Sequence, residues 1–293
     1  MATNAQGQKG AVLITGAAGG IGTTTARQLV SLGFRVFAGV RKPADGKALQ
    51  ASVSSRIVPV VFDITDAASL AAAAELVARE VGTAGLSGLV NNAGLIVEGP
   101  VELVPLDEVR RQFEVNVIGQ VAVTQAFLPL LRQAHGRIVN IGAVTGKTSI
   151  PYLGVLSSSK AALESITDAL RMELRPWGIT VSIVEPTAMQ TTIFNKSSAA
   201  ARVALQQVPA ERQKLYAPAL AAVSQSLEKQ HVDAPDVVTA AIIHALTARR
   251  PRTRYAVGRG AGMVVALRLL PDSVRDGLLL GQFGLSNVQP GQA

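Results

Sequence analysis

Residues 12–22 read VLITGAAGGIG. The first four are aliphatic or β-branched, as expected of a strand buried on both faces. The chain then turns through Gly16, Gly20 and Gly22 into a stretch of helical character. A turn without side chains at a helix start lets backbone N–H groups reach a bound pyrophosphate, and the helix dipole favours that charge. The spacing is G-x-x-x-G-x-G rather than G-x-G-x-x-G. Alone, such a cluster fits a plain tight turn equally well, so its surroundings must decide.

Downstream, short β-branched runs alternate with helical stretches, the signature of a parallel sheet with crossover helices. Strands are expected at 11–15, 33–40, 56–62, 86–92, 136–142, 178–186 and 253–258. A helix is expected at 65–81, capped by Thr65 or Asp66. Another spans 107–132, with Phe113, Val117, Val121, Thr124, Leu128 and Leu131 as its buried stripe. A third spans 155–175, with Leu163, Ile166, Leu170 and Leu174 inward and Pro176 helping to close it. The fold class is therefore α/β: a Rossmann-type, doubly wound parallel sheet of about seven strands flanked by helices, in one domain. Its core is expected at about 10–260.

Two segments depart from the alternation. Residues 187–232 are polar, rich in Ala, Ser and Gln, and follow the carboxyl end of the sixth strand, where ligands of such folds bind. They read as a helical lid, with an ordinary surface helix pair as the alternative. Residues 260–293 form a tail, and within 260–281 apolar stretches alternate with single charges. Docking on the protein itself is expected, with an oligomer interface or a membrane surface as alternatives.

Composition narrows the function. The 293 residues contain no cysteine, which excludes disulfides, thiolate metal sites and cysteine nucleophiles. His135, His231 and His244 are too scattered to suggest a metal site. The net charge is +8, with a concentration at Arg249, Arg250, Arg252, Arg254 and Arg259. Aromatic residues make up only 4%, too few for a base-stacking platform, so a solvated basic rim is expected rather than a nucleic-acid partner. The polar amino terminus lacks a signal-peptide core, and no uncharged apolar run approaches membrane-spanning length. The expected location is cytoplasmic.

Further motifs join the glycine turn. NNAG (91–94) ends the fourth strand, FDIT (62–65) ends the third, Asn116 lies in FEVNVIG, and GRIVNI leads on toward Lys160. In this order they resemble the short-chain dehydrogenase/reductase family, over about residues 10–260. The tail ALTARRPRTRYAVG and its continuation resemble the retinol and hydroxysteroid dehydrogenase branch. The resemblance implies that Thr15, Gly16, Gly20, Ile21 and Gly22 line the pyrophosphate turn. It implies that Asp63 and Ile64 hold the adenine, and that Asn92, Ala93 and Gly94 pack along the adenosine ribose. Pro186 and Thr191 match a P-G-x-x-x-T loop near the nicotinamide, whose glycine is Thr187 here. The second strand ends without an acidic residue to grip a ribose 2′-hydroxyl. Arg41 and Lys42 there supply positive charge for a 2′-phosphate, which favours NADP over NAD, with two solvated surface cations as the alternative. A homo-oligomer is implied as well.

The family's proton chemistry rests on a tyrosine, a serine, a lysine and an asparagine. Asn116 and Lys160 match. The serine position holds Ala143, and the tyrosine position, four residues before Lys160, holds Leu156. Residues i and i+4 share a helix face, so Leu156 projects where the phenol would stand. Acid–base help is typically worth ~10²–10⁴ in rate and an oxyanion donor roughly 10²–10³, so ordinary carbonyl reduction is expected to be severely impaired. Tyr152 is a candidate substitute, with loop packing as its alternative. Ser157, Ser158 and Ser159 point to other helix faces, and Thr145 is two residues out of register. Three functions follow: an oxidoreductase of an apolar alcohol or carbonyl compound with rewired proton delivery, a non-redox catalyst on the same fold, or a non-catalytic dinucleotide- or partner-binding protein.

Overall fold

Seven parallel strands form one sheet in the order β3-β2-β1-β4-β5-β6-β7. The structure is a computed structural model. It describes residues 9–229 and 232–291, with Thr192, Asn195 and Lys196 described by backbone alone. Gln230, His231 and the last two residues, within the expected lid and tail, lie outside the described residues. The strands are β1 Ala11–Thr15, β2 Arg35–Val40, β3 Ile57–Val61, β4 Gly88–Asn91, β5 Arg137–Ile141, β6 Thr180–Pro186 and β7 Arg254–Val257. Each expected strand is found, trimmed by up to two residues at either end. All five residues of β1 are buried, which explains its unbroken apolar run.

The strand order reverses between β1 and β4, so a crevice opens beyond their carboxyl ends. On one face, α1 (Gly20–Ser31), α2 (Pro43–Val53) and α9 (Pro235–Thr247) cover Val12, Ile14, Val90 and Val139 with Leu29, Leu49 and Ile242. On the other, α3 (Ala67–Val81), α5 (Gly119–Ala134) and α6 (Gly154–Glu173) cover Leu13, Leu89, Ile138 and Val181 with Val77, Phe127 and Leu131. The cap of α3 is Asp66, whose carboxylate accepts from the N–H groups of Ala68 (2.9 Å) and Ser69 (3.1 Å).

The helix expected at 107–132 is not continuous. Helix α4 (Leu106–Phe113) passes into a π-helical turn, Glu114–Ile118, before α5 begins. A π turn inserts an extra residue and rotates everything beyond it. The buried stripe therefore runs through Gln112, Asn116, Gln120, Val123, Phe127 and Leu131, with Thr124, rather than Phe113, Val121 and Leu128. By composition alone, Leu106–Ala134 is long and apolar enough to cross a bilayer, but half of that apolar window is buried inside the fold.

The segment after β6 folds as α7 (Thr192–Leu205) and α8 (Ala210–Glu228). The tail forms α10 (Ala261–Ala266), a short 3-10 turn and α11 (Asp272–Gln282). It docks on α8 through a cluster of Val223, Leu279 and Phe283. Met263, Leu269, Val274 and Leu278 of the tail stay exposed.

Candidate active site

The glycine turn sits at the carboxyl end of β1, and its packing leaves no room for side chains at Gly16, Gly20 and Gly22. Gly16 adopts a left-handed φ of 64°, and a Cβ on Gly22 would collide with the Gly16 carbonyl. Helix α1 has no side-chain cap and no acidic residue in its first turn. Its first intrahelical bond is Thr23 N–H to Gly19 O, 2.8 Å. The amides of Gly20, Ile21 and Gly22 precede it, so they are open to an anion. A dinucleotide pyrophosphate fits this cradle.

Neighbouring strands hold the turn rigid. The Thr15 hydroxyl accepts from the N–H groups of Asn92 and Ala93, both 3.0 Å, while Asn92 Nδ2 donates to the carbonyls of Thr15 (3.0 Å) and Gly16 (3.1 Å). Gly94 lies against Asn116: a Cβ there would stand 3.3 Å from Asn116 Oδ1. Ile64 packs on Gly119, where a Cβ would stand 2.9 Å from its Cγ1. Asp63 turns its carboxylate onto the Thr65 N–H (2.9 Å) and hydroxyl (2.7 Å). The Thr65 amide above all, then its hydroxyl and the Arg41 charge, hold Asp63 below the usual carboxylate range against the opposing effect of burial. Arg41 and Lys42 are exposed at the end of β2.

From the far side, the β6–α7 loop closes over the turn. Pro186 ends β6 and is buried. Thr191 stands just before α7, without a side-chain cap bond, and touches Gly20, where a Cβ would meet its Cγ2 at 2.7 Å. Thr187 needs no left-handed backbone; its N–H donates to Val257 O (3.0 Å), and its hydroxyl occupies the space a side chain at Gly258 would take. A threonine therefore replaces the family's glycine without strain because the compensating glycine, Gly258, stands just past the end of the neighbouring strand β7.

The expected catalytic positions lie between β5, the π turn and α6. Asn116, at the middle of the π turn, accepts from Leu95 N–H (2.9 Å) and donates to Leu95 O (3.0 Å). Lys160 is buried, and its Nζ donates to Ile141 O at 2.7 Å. Loss of solvation pushes its pKa down to about 8. Leu156, one turn earlier on α6, is buried too, and Ala143 is half-buried just past β5.

No alternative hydroxyl bonds to Lys160 among the described residues, although Ser159 Oγ accepts from Asn116 Nδ2 at 3.5 Å. Ser158 Oγ donates to Val155 O (3.0 Å) and Ser159 Oγ to Leu156 O (2.7 Å). Those of Thr145 and Ser157 are buried without a partner among the described residues. Tyr152 takes a left-handed φ of 65°, its carbonyl accepting from Gly99 N–H at 2.8 Å. Its side chain packs with Ile150, Leu267 and Leu285 around the tail cluster. A left-handed backbone costs an L-residue roughly 1–2 kcal/mol.

Sequence reading missed two features. Gln112, fully buried, donates to Leu95 O (3.0 Å) and Ser159 Oγ (3.2 Å) and accepts from Val97 N–H (2.7 Å). It thereby bolts the loop after β4 to α6. Four residues after Ala143, Lys147 pairs with Glu164 and lies 3.6 Å from Glu185. Burial, followed by the neighbouring Glu164 carboxyl, pushes Glu185 up to about 7, opposed by Lys147 and Arg254. Glu164 follows Lys160 by one helical turn, the signal that would have revealed it.

A glycine-cradled pyrophosphate site at a sheet switch point, with a buried lysine and asparagine beside it, defines a Rossmann-type dinucleotide-binding protein. Comparison with known proteins specifies it further. The family model for short chain dehydrogenase matches residues 10–202. The chain is 37% identical over 277 residues to mouse (Mus musculus) retinol dehydrogenase 5, covering 92% of this chain and 87% of that one. It is 38% identical over the same length and coverage to 17-beta-hydroxysteroid dehydrogenase type 6 of cattle (Bos taurus). A short chain dehydrogenase from Burkholderia cenocepacia, solved in complex with NADP, superposes with a TM-score of 0.72 at 26% identity, covering 93% of this chain and 98% of that one. This chain belongs to the short-chain dehydrogenase/reductase family of NAD(P)-dependent oxidoreductases, in its retinol and hydroxysteroid dehydrogenase branch.

Proposed function

We propose that the protein exchanges hydride between NADP(H) and an uncharged, apolar alcohol or carbonyl compound, with Lys160 in charge of the proton. What carries this reading is the contrast within α6. Lys160 stands fully buried on Ile141 O, whereas Leu156, one turn before it, offers only hydrocarbon. The relatives are named for retinol and for hydroxysteroids, which are apolar alcohols. An apolar substrate also suits a site whose serine and tyrosine positions hold Ala143 and Leu156. Arg41, exposed at the end of β2 and close enough to bias Asp63, supports preference for a 2′-phosphate.

Bound nicotinamide supplies or accepts the hydride. The chain's own residues do the rest. Asn92 and Thr15 fix the turn, Thr191 closes on Gly20, and Asn116 with Gln112 hold the loop after β4. Lys160 exchanges a proton at Nζ, and its pKa near 8 lets it do so in neutral solution. Tyr152, packed in the tail cluster, takes no part in the proton step. The helices α7 and α8 act as the lid.

Titration with NADPH and NADH, followed by NADPH oxidation with apolar aldehydes and ketones from pH 6 to 10, tests this reading. Reduction should be slow, rise as pH falls through about 8, and disappear in Lys160→Met. Absence of NADPH binding, or a rate indifferent to Lys160→Met, would overturn it.

A further inference from the structure

Three buried charged side chains meet one turn beyond Lys160, and the hydride chemistry uses none of them. Lys147, from the loop after β5, faces Glu164 of α6 and Glu185 of β6, and the three side chains are 9%, 8% and 2% exposed. Lys147 pairs with Glu164 Oε2 and stands 3.6 Å from Glu185 Oε1. The elements they join frame the expected catalytic positions. Gly142 N–H donates to Val184 O at 2.8 Å, and a Cβ on Gly142 would stand 3.5 Å from Glu185 Cγ. A Cβ on Gly146 would stand 2.8 Å from Glu164 Oε1 and 3.0 Å from the carbonyl carbon of Lys160. The loop that carries Ala143 is thus pressed between β6 and the Lys160 turn of α6.

The charges do not balance. One ammonium faces two carboxyls, and Oε1 of Glu164 and Oε1 of Glu185 are both buried without a hydrogen-bond partner among the described residues. Two ionised carboxylates only accept, so neither can satisfy the other. A single proton gives the pair a donor, and the two side chains are within hydrogen-bond reach. The other charges nearby are already engaged. Arg254 of β7 is paired with Asp168 of α6, which also holds Arg171. Lys160 is committed to Ile141 O, and Arg137, at the far end of β5, to Ala245 O. Asp236 and His244 belong to α9, on the opposite face of the sheet: Val184 packs toward α9, whereas Val181, and by alternation Glu185, lie on the α6 side. Burial and then Glu164 accordingly hold Glu185 up at about 7, against the pull of Lys147 and Arg254.

We infer that Lys147, Glu164 and Glu185 form a pH-sensitive clasp on the loop that carries Ala143. One proton shared by the two carboxyls holds residues 143–147 against the Lys160 turn, and its loss leaves two like charges that loosen the loop. The three act through that loop and are positioning residues. The inference is independent of the redox reading, because neither dinucleotide nor turnover is needed to observe the clasp.

Infrared difference spectroscopy of the full chain, with amide hydrogen exchange of residues 142–148, tests it. A protonated-carboxyl band present at pH 6 should vanish with a midpoint near 7 and be absent from Glu185→Gln. In Lys147→Met the band should persist to higher pH, because the ammonium that favours ionisation is gone, and Lys147→Arg should bring the midpoint back. Corrected for intrinsic exchange, protection of the wild-type loop should fall about 3–10-fold from pH 6 to 8.5, the linkage of an acid held near 7 that returns toward 4.5 when the loop opens. Glu185→Gln, which keeps the Lys147–Glu164 pair, should hold its protection within about two-fold over that range. Absence of the band at pH 6, or its survival in Glu185→Gln, would overturn the shared proton. Equal pH dependence of loop protection in the wild type and Glu185→Gln would overturn the clasp. Melting curves report whether each variant folds; should Lys147→Met fail to, the comparison with Glu185→Gln decides alone.

Discussion

Leu156 and Lys160 stand one turn apart on α6, both sealed from solvent, and the lysine donates its hydrogen bond to the carbonyl of Ile141 rather than to a neighbouring side chain. Restoring oxygen to this face should restore ordinary chemistry. Ala143→Ser with Leu156→Tyr is expected to raise NADPH-dependent reduction of apolar ketones by ~10²–10⁴, the usual worth of acid–base help. Each single change should fall well short of the pair, because such groups act as a unit. Steady-state rates of the three variants decide the matter. No gain from the pair would mean that these positions do not face the reacting carbon.

Lys160 also leaves a mark on stability. Its pKa is lowered from 10.5 to about 8 by burial. The unfolded chain therefore binds more protons than the native one between those values, and stability must rise with pH across that window. The contribution is at its least favourable below pH 8. Lys160→Met removes the titration. The variant's Tm should exceed that of the wild type at pH 7, by about 2–5 °C for a chain of this size, and the difference should shrink toward pH 10. Thermal melts at pH 7, 8.5 and 10 test this. A difference that does not change with pH would place the lysine in solvent.

Glu185 predicts the opposite slope. Its carboxyl is raised from 4.5 to about 7, first by burial and then by Glu164. A raised acid contributes fully below pH 4.5, and the contribution is lost as pH rises through 7. Glu185→Gln keeps the shape and leaves Lys147 paired with Glu164. Its melting temperature should therefore vary less than that of the wild type between pH 4.5 and 7.5, and exceed it at pH 8. Parallel curves would show that the cluster does not titrate in this range.

What the sequence made legible was whatever repeats or is punctuated by glycine. All seven strands and the pyrophosphate turn were visible because β1 is buried on both faces and because Gly16 and Gly22 have no room for side chains. The π turn was not, since Glu114–Ile118 has ordinary helical composition and its extra residue is stabilised by Asn116 reaching Leu95, a contact 21 positions away in sequence. Gln112 was hidden for the same reason: a glutamine at helical spacing reads as surface until the loop after β4 folds onto it. The strained Tyr152 was seen as a residue but not in its setting, because the apolar cluster it joins is assembled from Val223 of α8 and from Leu279 and Phe283 of the tail, the latter two more than 100 residues downstream.

Dinucleotide choice can be tested at a single residue. Arg41 follows β2 directly, exposed, and its charge is felt by Asp63 at the end of β3. A guanidinium there suits a 2′-phosphate, and a hydrogen bond to a charged group is worth roughly 1.5–3 kcal/mol. Arg41→Ala is therefore expected to weaken NADPH by about 10–100-fold while leaving NADH within about two-fold. Lys42, also exposed, should sustain part of the preference until it too is removed. Because the contact is electrostatic and near solvent, the wild-type advantage for NADPH should shrink as ionic strength rises. Equilibrium titrations of both dinucleotides at low and high salt measure each effect. If Arg41→Ala weakens NADH as much as NADPH, the guanidinium is reading the shared part of the molecule, and the phosphate must be recognised elsewhere or not at all.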